Sequence, residues 1–306
     1  MAFRLRESDC KTLECLAEYR ILTVPQIATI SQKDKQVIRR RFCDLEKEGF
    51  IEVIKREFGR ARGRPENLLG LTEQGADILR EKNLIGRDIP YEGIGPVSTR
   101  LIDHQLLMNW FRIHLNQVER VLPKLNFRFL AYNSPFVPRE PDGHIITTDY
   151  SPIGRRTVRQ VKFTPDAVIT ATDTVQNKTV LYFLEVDCGT ETLSSPQRDM
   201  SDIRQKILNY QWYFLNLKYK RYERIFKVPF LHGFRVLFLA KTVGRLAALC
   251  KLTQEMAPTP FICLTEQQRL FDDGVFAKIW ARGGNLQVVQ RSIIGRMNCR
   301  IPLPQK

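Results

Sequence analysis

The sequence lacks the motifs that mark several common enzyme classes. Its four histidines form no HExxH pair, and its seven cysteines show no CxxC or Cys/His zinc spacing. No GxSxG or Walker A string occurs, which argues against zinc hydrolases, serine hydrolases and P-loop NTPases. Because the cysteines are scattered and odd in number, we expect reduced thiols, most of them buried.

Long apolar runs are also missing. No stretch is long enough to span a membrane and no signal peptide opens the chain, so we expect a cytoplasmic protein that does not contact membranes. Hydrophobic residues still make up 43% of the 306 residues, which is enough for real cores. A chain of this length predicts two domains.

Acidic residues are outnumbered by basic ones. The formal net charge is +15, and the isoelectric point is near 9.7. A surplus of this size argues for a polyanionic partner, with nucleic acid ahead of a membrane surface.

A helical region is predicted near the N-terminus. Thr23 and Gln26 have the spacing of a capping box at the start of a second helix. A third helix is predicted over residues 34–48, where apolar residues recur at helical spacing. Its other face presents four polar or basic residues as candidate DNA contacts: Lys35, Gln36, Arg39 and Arg40. A solvated helix face is the alternative for these residues.

An arginine-rich loop follows, between strands predicted at residues 50–56 and 68–71, and a further helix is predicted from Thr72. The segment LGLTEQGADIL is similar to the part that closes many winged-helix DNA-binding domains. In that fold the third helix enters the major groove, while wing arginines reach phosphates or the minor groove. The predicted wing contacts are Arg60, Arg62 and Arg64.

Glycine and proline cluster at residues 83–98, which predicts a linker. The predicted domains are therefore a winged-helix domain over 1–82 and a second domain over 99–306. Basic residues number 18 against 16 acidic ones in 1–96 and 30 against 17 in 97–306, which gives net charges of +2 and +13. The second domain is expected to contact nucleic acid too.

A β-hairpin is predicted over residues 161–191. Alternating apolar residues precede a polar turn at 172–178, and a run rich in β-branched and aromatic residues follows it. Antiparallel pairing across this turn would bring Asp166 and Glu185 to the same end of the sheet. Glu185 and Asp187 are two residues apart on a strand and therefore project from one face.

The grouping of these carboxylates predicts a metal site. Three acidic side chains, Asp166, Glu185 and Asp187, suit a hard cation such as Mg²⁺ or Mn²⁺. The alternative is that Asp166 caps a strand, while Glu185 and Asp187 begin an exposed loop. Acids that directly follow the apolar run LYFL are expected to need partners.

The same residues carry a family resemblance. Pro165-Asp166 followed by Glu185-Val186-Asp187 resembles the core motif of PD-(D/E)xK nucleases. The string FLEVDCGTE, the downstream Lys206 and Tyr210 and the later strand RVLFLA resemble the replication-relaxation family. That resemblance implies a plasmid or mobile-element protein in which a winged helix precedes a restriction-endonuclease-like domain.

One position departs from the nuclease pattern. This chain has Asp187 where an active nuclease has the lysine of its ExK motif. Lys206, on a helix predicted over 197–217, and Lys162, predicted on the strand of Asp166, are the candidates to replace it. Either lysine can alternatively form only a salt bridge. The candidate catalytic residues are therefore Asp166, Glu185, Asp187 and Lys206.

The predicted architecture is an α+β or α/β fold, with an N-terminal winged helix-turn-helix and a restriction-endonuclease-like mixed sheet flanked by helices. The leading function is a protein that binds double-stranded DNA and acts in replication or relaxation, or in its control. The alternatives are a metal-dependent DNA endonuclease, acting as a nickase, and a transcriptional autoregulator. The sequence leaves open whether the chain forms a homodimer.

Overall fold

The structure is a computed structural model and describes residues 3–54, 66–153, 159–195, 202–256, 258–286, 291–295 and 298–303. They form two compact units. The first contains the chain up to Ile113 together with Asn133–Phe136, and the second contains His114–Tyr132 and the chain from Val137 onward. Helix α6 (Ile102–Val121) contributes residues to both units.

The first unit combines helices with a small sheet. Its other elements are α1 (Glu7–Tyr19), β1 (Ile21–Thr23), α2 (Val24–Ser31), α3 (Lys35–Lys47), β2 (Ile51–Ile54), β3 (Leu68–Leu71), α4 (Glu73–Glu81) and α5 (Tyr91–Ile94). The sheet has the order β1-β3-β2, and β3 is antiparallel to both neighbours. Helices α1 to α3 therefore precede a hairpin whose two strands are described but whose connecting loop lies outside the described residues.

Local capping explains where α2 and α3 begin. The Thr23 hydroxyl accepts a hydrogen bond from the Gln26 backbone, and the Gln26 side chain bonds back to Thr23 N–H at 2.9 Å. This is the predicted capping box. The Asp34 carboxylate accepts from Gln36 N–H at 2.7 Å and caps α3, which ends one residue before Glu48. The prediction of a helix over 34–48 is confirmed.

Residues 83–98, predicted as a linker, contain the short helix α5. Ile85 and Ile94 are buried in the apolar core of the first unit. The Arg20 guanidinium donates to the carbonyls of Glu92 and Gly95 at 2.6 and 2.9 Å. This segment is therefore packed within the first unit, while the predicted domain bounds 1–82 and 99–306 stay a prediction.

Helix α6 satisfies backbone groups of the first unit. Asn109 donates from its amide to the carbonyls of Tyr19 and Ile21 at 3.1 and 2.7 Å, and Gln105 also reaches the Tyr19 carbonyl. Both side chains are buried. They supply side-chain donors to carbonyls at the junction of α1 and β1.

The second unit is built around a larger sheet. Its elements are β4 (Leu125–Ala131), β5 (Asp149–Ile153), β6 (Arg159–Phe163), β7 (Ala167–Asp173), β8 (Lys178–Asp187), α7 (Ile203–Leu215), α8 (Arg221–Phe226), β9 (Phe234–Ala240), α9 (Val243–Glu255), β10 (Ile262–Glu266), α10 (Gln267–Asp273) and β11 (Ala281–Arg282). Six of the strands form a sheet with the order β11-β10-β9-β8-β7-β4.

This sheet is mixed. Strands β8, β9 and β10 run parallel, and the remaining pairs are antiparallel. The predicted hairpin is β7–β8, and the strand RVLFLA named above lies in β9. A mixed sheet with helices confirms the predicted α+β class. Within the described ranges, strands β5 and β6 pair with each other alone and form a separate two-stranded sheet, which was not predicted.

One face of β8 carries the core of the second unit. Leu181 and Phe183 on that face join Phe234 and the buried rings of α7 in one apolar cluster. The ring centroids of Phe183 and Phe234 lie 4.8 Å apart. Because side chains alternate along a strand, Glu185 and Asp187 continue this face toward the end of β8. No described helix is both long and apolar enough to cross a membrane.

Replacing Asn109 tests the role of α6 in the first unit. The substitution Asn109→Ala leaves the Ile21 carbonyl without its amide donor, so the free energy of unfolding should fall by about 1–3 kcal/mol. Arg100→Ala, an exposed position just before α6, is the control and should change it by about 0.5 kcal/mol or less. Chemical denaturation measures both. Equal stabilities for the two variants would contradict the assignment.

Candidate functional site

Helix α3 has a basic face that is exposed and an apolar face that is buried. Ile38, Phe42 and Leu45 are buried in the core of the first unit. The opposite face carries the four predicted DNA contacts. Of these, Gln36, Arg39 and Arg40 are exposed and Lys35 is half-buried. The helix therefore places polar and cationic side chains where a ligand can reach them.

The three consecutive arginines of α3 have different roles. Arg41 points toward α1 and forms a two-pronged ion pair with Asp9, at 2.6 and 2.9 Å. Asp9 is buried, so this pair fixes α3 against α1. Burial alone would raise the pKa of Asp9, but the bonds from Arg41 outweigh it and hold that pKa below its usual value. Arg39 and Arg40 are left for other partners.

The predicted wing contacts Arg60, Arg62 and Arg64 lie outside the described residues. The first described position after that loop is Glu66, whose carboxylate is 3.8 Å from the Arg39 guanidinium. This pair is long and largely exposed, so it holds Arg39 only weakly.

The predicted carboxylates meet at one edge of the large sheet. The register of β7 with β8 pairs Ala167 with Leu184, which places Asp166 opposite Glu185. The Asp166 carboxylate accepts a hydrogen bond from Val186 N–H at 2.7 Å. The prediction that the hairpin brings Asp166 and Glu185 to the same end of the sheet is confirmed.

Glu185 is buried between donors from α7. The Tyr210 hydroxyl donates to Glu185 Oε1 at 2.6 Å, and Lys206 Nζ donates to Glu185 Oε2 at 3.1 Å. Lys206 also bonds to Glu191 Oε1 at 2.8 Å. Tyr210 and Lys206 are four residues apart on α7, so one face of that helix supplies both donors. The prediction that Lys206 reaches the carboxylates from this helix is confirmed.

Asp187 is held by a different helix. Its carboxylate accepts from Arg245 Nε at 2.7 Å and from Gly189 N–H at 2.7 Å. Arg245 also donates to the Glu191 carbonyl at 2.6 Å. Gly189 has φ +84°, a backbone conformation that strains other residues, so this turn requires glycine.

Glu185 and Asp187 are both only 4% exposed. The alternative in which they begin an exposed loop is therefore wrong. We call these six side chains the carboxylate centre: Asp166, Glu185, Asp187, Lys206, Tyr210 and Arg245.

Burial and neighbouring charges act in opposite directions in this centre. It raises the pKa of Glu185 to about 7, although Lys206 beside it favours the charged form. Burial would lower the pKa of Lys206, but the charges of Glu185, Asp166 and Glu191 outweigh it and raise that pKa above its ordinary value. Lys206 is therefore charged at neutral pH, while Glu185 is poised to take up a proton.

The carboxylate centre fits a metal ion poorly as it stands. Lys206 and Arg245 already donate to the oxygens of Glu185 and Asp187 that a metal would need. Among the residues that the structure describes, no three His, Cys, Asp or Glu side chains are grouped so that they could hold a metal ion. Binding of Mg²⁺ or Mn²⁺ by Asp166, Glu185 and Asp187 stays a prediction.

Two placements differ from the sequence analysis. Lys162 lies on β6, paired with Tyr150 of β5, and so is not on the same strand as Asp166. The prediction missed this because it extended the hairpin strand back through residues 161–163. Arg245 was not among the predicted site residues, because local sequence patterns do not show which strand β9 pairs with. Strand β9 is parallel to β8 and ends beside Asp187, so the first turn of the next helix had to lie near that carboxylate.

The pKa of Glu185 predicts a pH effect on stability. Its folded-state pKa of about 7 lies above the ordinary 4.5. Its contribution to stability is therefore full below pH 4.5 and is lost as pH rises toward 7. The free energy of unfolding of the wild type should fall by roughly 3 kcal/mol across this window relative to Glu185→Gln, which cannot ionise.

Denaturant unfolding at several pH values measures this difference. Glu255→Gln, which removes a half-exposed acid paired with Arg204, is the control and should follow the wild type. Parallel pH profiles for wild type and Glu185→Gln would show that Glu185 titrates at its ordinary pKa.

Comparison with known proteins identifies a family. No curated protein and no solved structure is matched. A model of the replication-relaxation family matches residues 13–228, well over half of the chain. The match includes α3 and every member of the carboxylate centre except Arg245. The chain therefore belongs to the replication-relaxation family.

Proposed function

We propose that this protein binds double-stranded DNA through a winged helix in its first unit and acts in the replication or relaxation of a plasmid or another mobile element, or in its control. The observation that carries the proposal is the exposed face of α3. Gln36, Arg39 and Arg40 stand clear of the core, while Arg41 is committed to Asp9. Because the ion pair of Arg41 with Asp9 holds the helix in place, its exposed side chains can enter a major groove from a fixed backbone.

The order of elements supports the winged-helix assignment. Three helices are followed by the hairpin β2–β3, and β1 pairs with β3 to complete a three-stranded sheet. In a winged helix α3 reads the groove, and the loop between β2 and β3 is the wing. The predicted wing residues Arg60, Arg62 and Arg64 would then contact phosphates or the minor groove.

Charge supports a DNA partner for the whole chain. The net charge of +15 is unevenly spread, with +13 in residues 97–306. Phosphate contacts release counterions and dominate nonspecific affinity, so a basic second unit would add binding without adding sequence preference. A transcriptional autoregulator stays an alternative.

DNA binding by α3 can be tested with a double variant. Each lost phosphate contact lowers the slope of log K against log salt concentration by about 0.9. Arg39→Ala/Arg40→Ala should therefore lower the slope by up to about two, or should relax sequence preference where these residues contact bases. Fluorescence anisotropy with labelled duplexes at several salt concentrations measures both effects.

Lys11→Ala is the control for this experiment. Lys11 is an exposed lysine on α1 whose ammonium pairs with Glu7 at 2.7 Å. Its removal should leave slope and sequence preference close to those of the wild type. If the double arginine variant behaves like Lys11→Ala, α3 does not contact DNA.

DNA cleavage is a second candidate function, and the placement of Lys206 favours it. A cation at the carboxylates could stabilise charge that develops on a phosphate. Lys206 holds that position, 3.1 Å from Glu185, and could replace the missing lysine of the motif. A bound Mg²⁺ or Mn²⁺ would supply phosphate polarisation and an activated water. Lys206 and Arg245 are tied to Glu185 and Asp187, so we expect slow cleavage or none.

Conversion of supercoiled plasmid to open circles tests this candidate. Wild type, Asp166→Ala, Lys206→Ala and Lys162→Ala are compared in Mg²⁺ and in Mn²⁺. If the chain is a nickase, Asp166→Ala and Lys206→Ala should lose cleavage. Lys162→Ala is the matched control, because Lys162 is exposed on β6, and should retain activity. Cleavage that survives Asp166→Ala would exclude the carboxylate centre as its source.

A further inference from the structure

A groove opens at the other end of β8 from the carboxylate centre. It lies between the start of β8 and the segment that leads into β9, and it encloses about 450 Å³. We call it the Phe230 groove. Its lining includes Lys178, Phe230, His232 and Arg235. Lys178 begins β8 and Asp187 ends it, so the groove and the carboxylate centre are separate sites.

The side chain of Phe230 is unusual among the aromatic residues of the second unit. It is 71% exposed, whereas the nearby Phe226 and Phe234 are 2% and 4% exposed. The preceding Pro229 is also exposed. A phenylalanine ring left in water forgoes the stabilisation that burial gives, and its face is open to stacking by a ligand.

The groove is positively charged. Lys178 and Arg235 line it together with His232, and no acidic residue is among the described residues that line it. Arg235 also donates from its guanidinium to the carbonyl of Ile293. Lys178 is exposed, and so is Lys227, three residues before Phe230. These charges are complementary to a polyanion.

Aromatic residues combined with cations also occur at residues 218–224, where the sequence KYKRYER suggests base stacking. The structure excludes that role, because Tyr219 and Tyr222 are 3% and 0% exposed. Buried rings support the core of the second unit and cannot stack on bases. In this part of the chain, Phe230 is the aromatic side chain that combines exposure with neighbouring cations.

We propose that the Phe230 groove binds single-stranded nucleic acid, with a base stacked on Phe230 and the phosphate backbone contacted by Lys178 and Arg235. An aromatic platform beside cations is the arrangement by which proteins hold single strands without reading their sequence. A duplex cannot use the ring in this way, because its bases are stacked on each other.

This inference goes beyond the proposed binding of duplex DNA by α3. It concerns another unit, another form of nucleic acid and residues 229–235, which follow the end of the family match at 228. The two proposals can fail independently. Arg39→Ala/Arg40→Ala should leave binding of a single strand dependent on Phe230.

The test measures the anisotropy of a fluorescein-labelled 20-mer of thymidylate with the full chain. Phe230→Ala should raise its Kd by about tenfold, since stacking of one base contributes that order of affinity. Tyr150→Ala is the control, because Tyr150 is a 42% exposed aromatic residue of the same unit outside the groove. It should leave the Kd within about twofold of the wild type.

Two further measurements separate stacking from charge. An abasic 20-mer keeps the phosphates but has no bases, so Phe230→Ala should not change its Kd. Lys178→Ala should lower the slope of log K against log salt by about 0.7 for the thymidylate strand. Thermal melts check that Phe230→Ala is folded, as expected for an exposed side chain.

The proposal is overturned if Phe230→Ala binds the thymidylate strand as Tyr150→Ala does. It is also overturned if Phe230→Ala weakens the abasic strand equally, because the ring would then act without a base. Either result would leave the groove to a protein partner.

Discussion

Carboxylates at the end of a buried strand need positive partners, and this requirement organises the second unit. Glu185 and Asp187 continue the face of β8 that carries Leu181 and Phe183. An isolated charge there would cost several kcal/mol. Lys206 reaches Glu185 from α7, and Arg245 reaches Asp187 from α9. Two helices are thereby fixed to the same edge of the sheet.

The same ion pairs limit what the carboxylate centre can do. Lys206 is shared between Glu185 and Glu191. Arg245 neutralises Asp187, the residue that departs from the nuclease pattern. A substrate phosphate would have to compete with these carboxylates for both cations. That competition is the reason why we expect slow cleavage or none from this centre.

Periodic signals made much of this architecture predictable. The capping box at Thr23 and the helix over 34–48 follow from local patterns, and the opposition of Asp166 and Glu185 follows from pairing across one turn. Contacts between distant segments were not predictable in the same way. The role of Arg41 depends on Asp9, and the role of Arg245 depends on the parallel pairing of β8 with β9.

The central claim, that α3 contacts duplex DNA, is tested most directly by photo-cross-linking. Benzoylphenylalanine is placed at position 36, on the exposed face of α3, or at position 11 on α1 as the reference. Gln36 and Lys11 are both exposed, so neither replacement should disturb the core. The account predicts irradiation-dependent cross-links to labelled duplex from position 36 well above those from position 11. Equal yields from the two positions would contradict it.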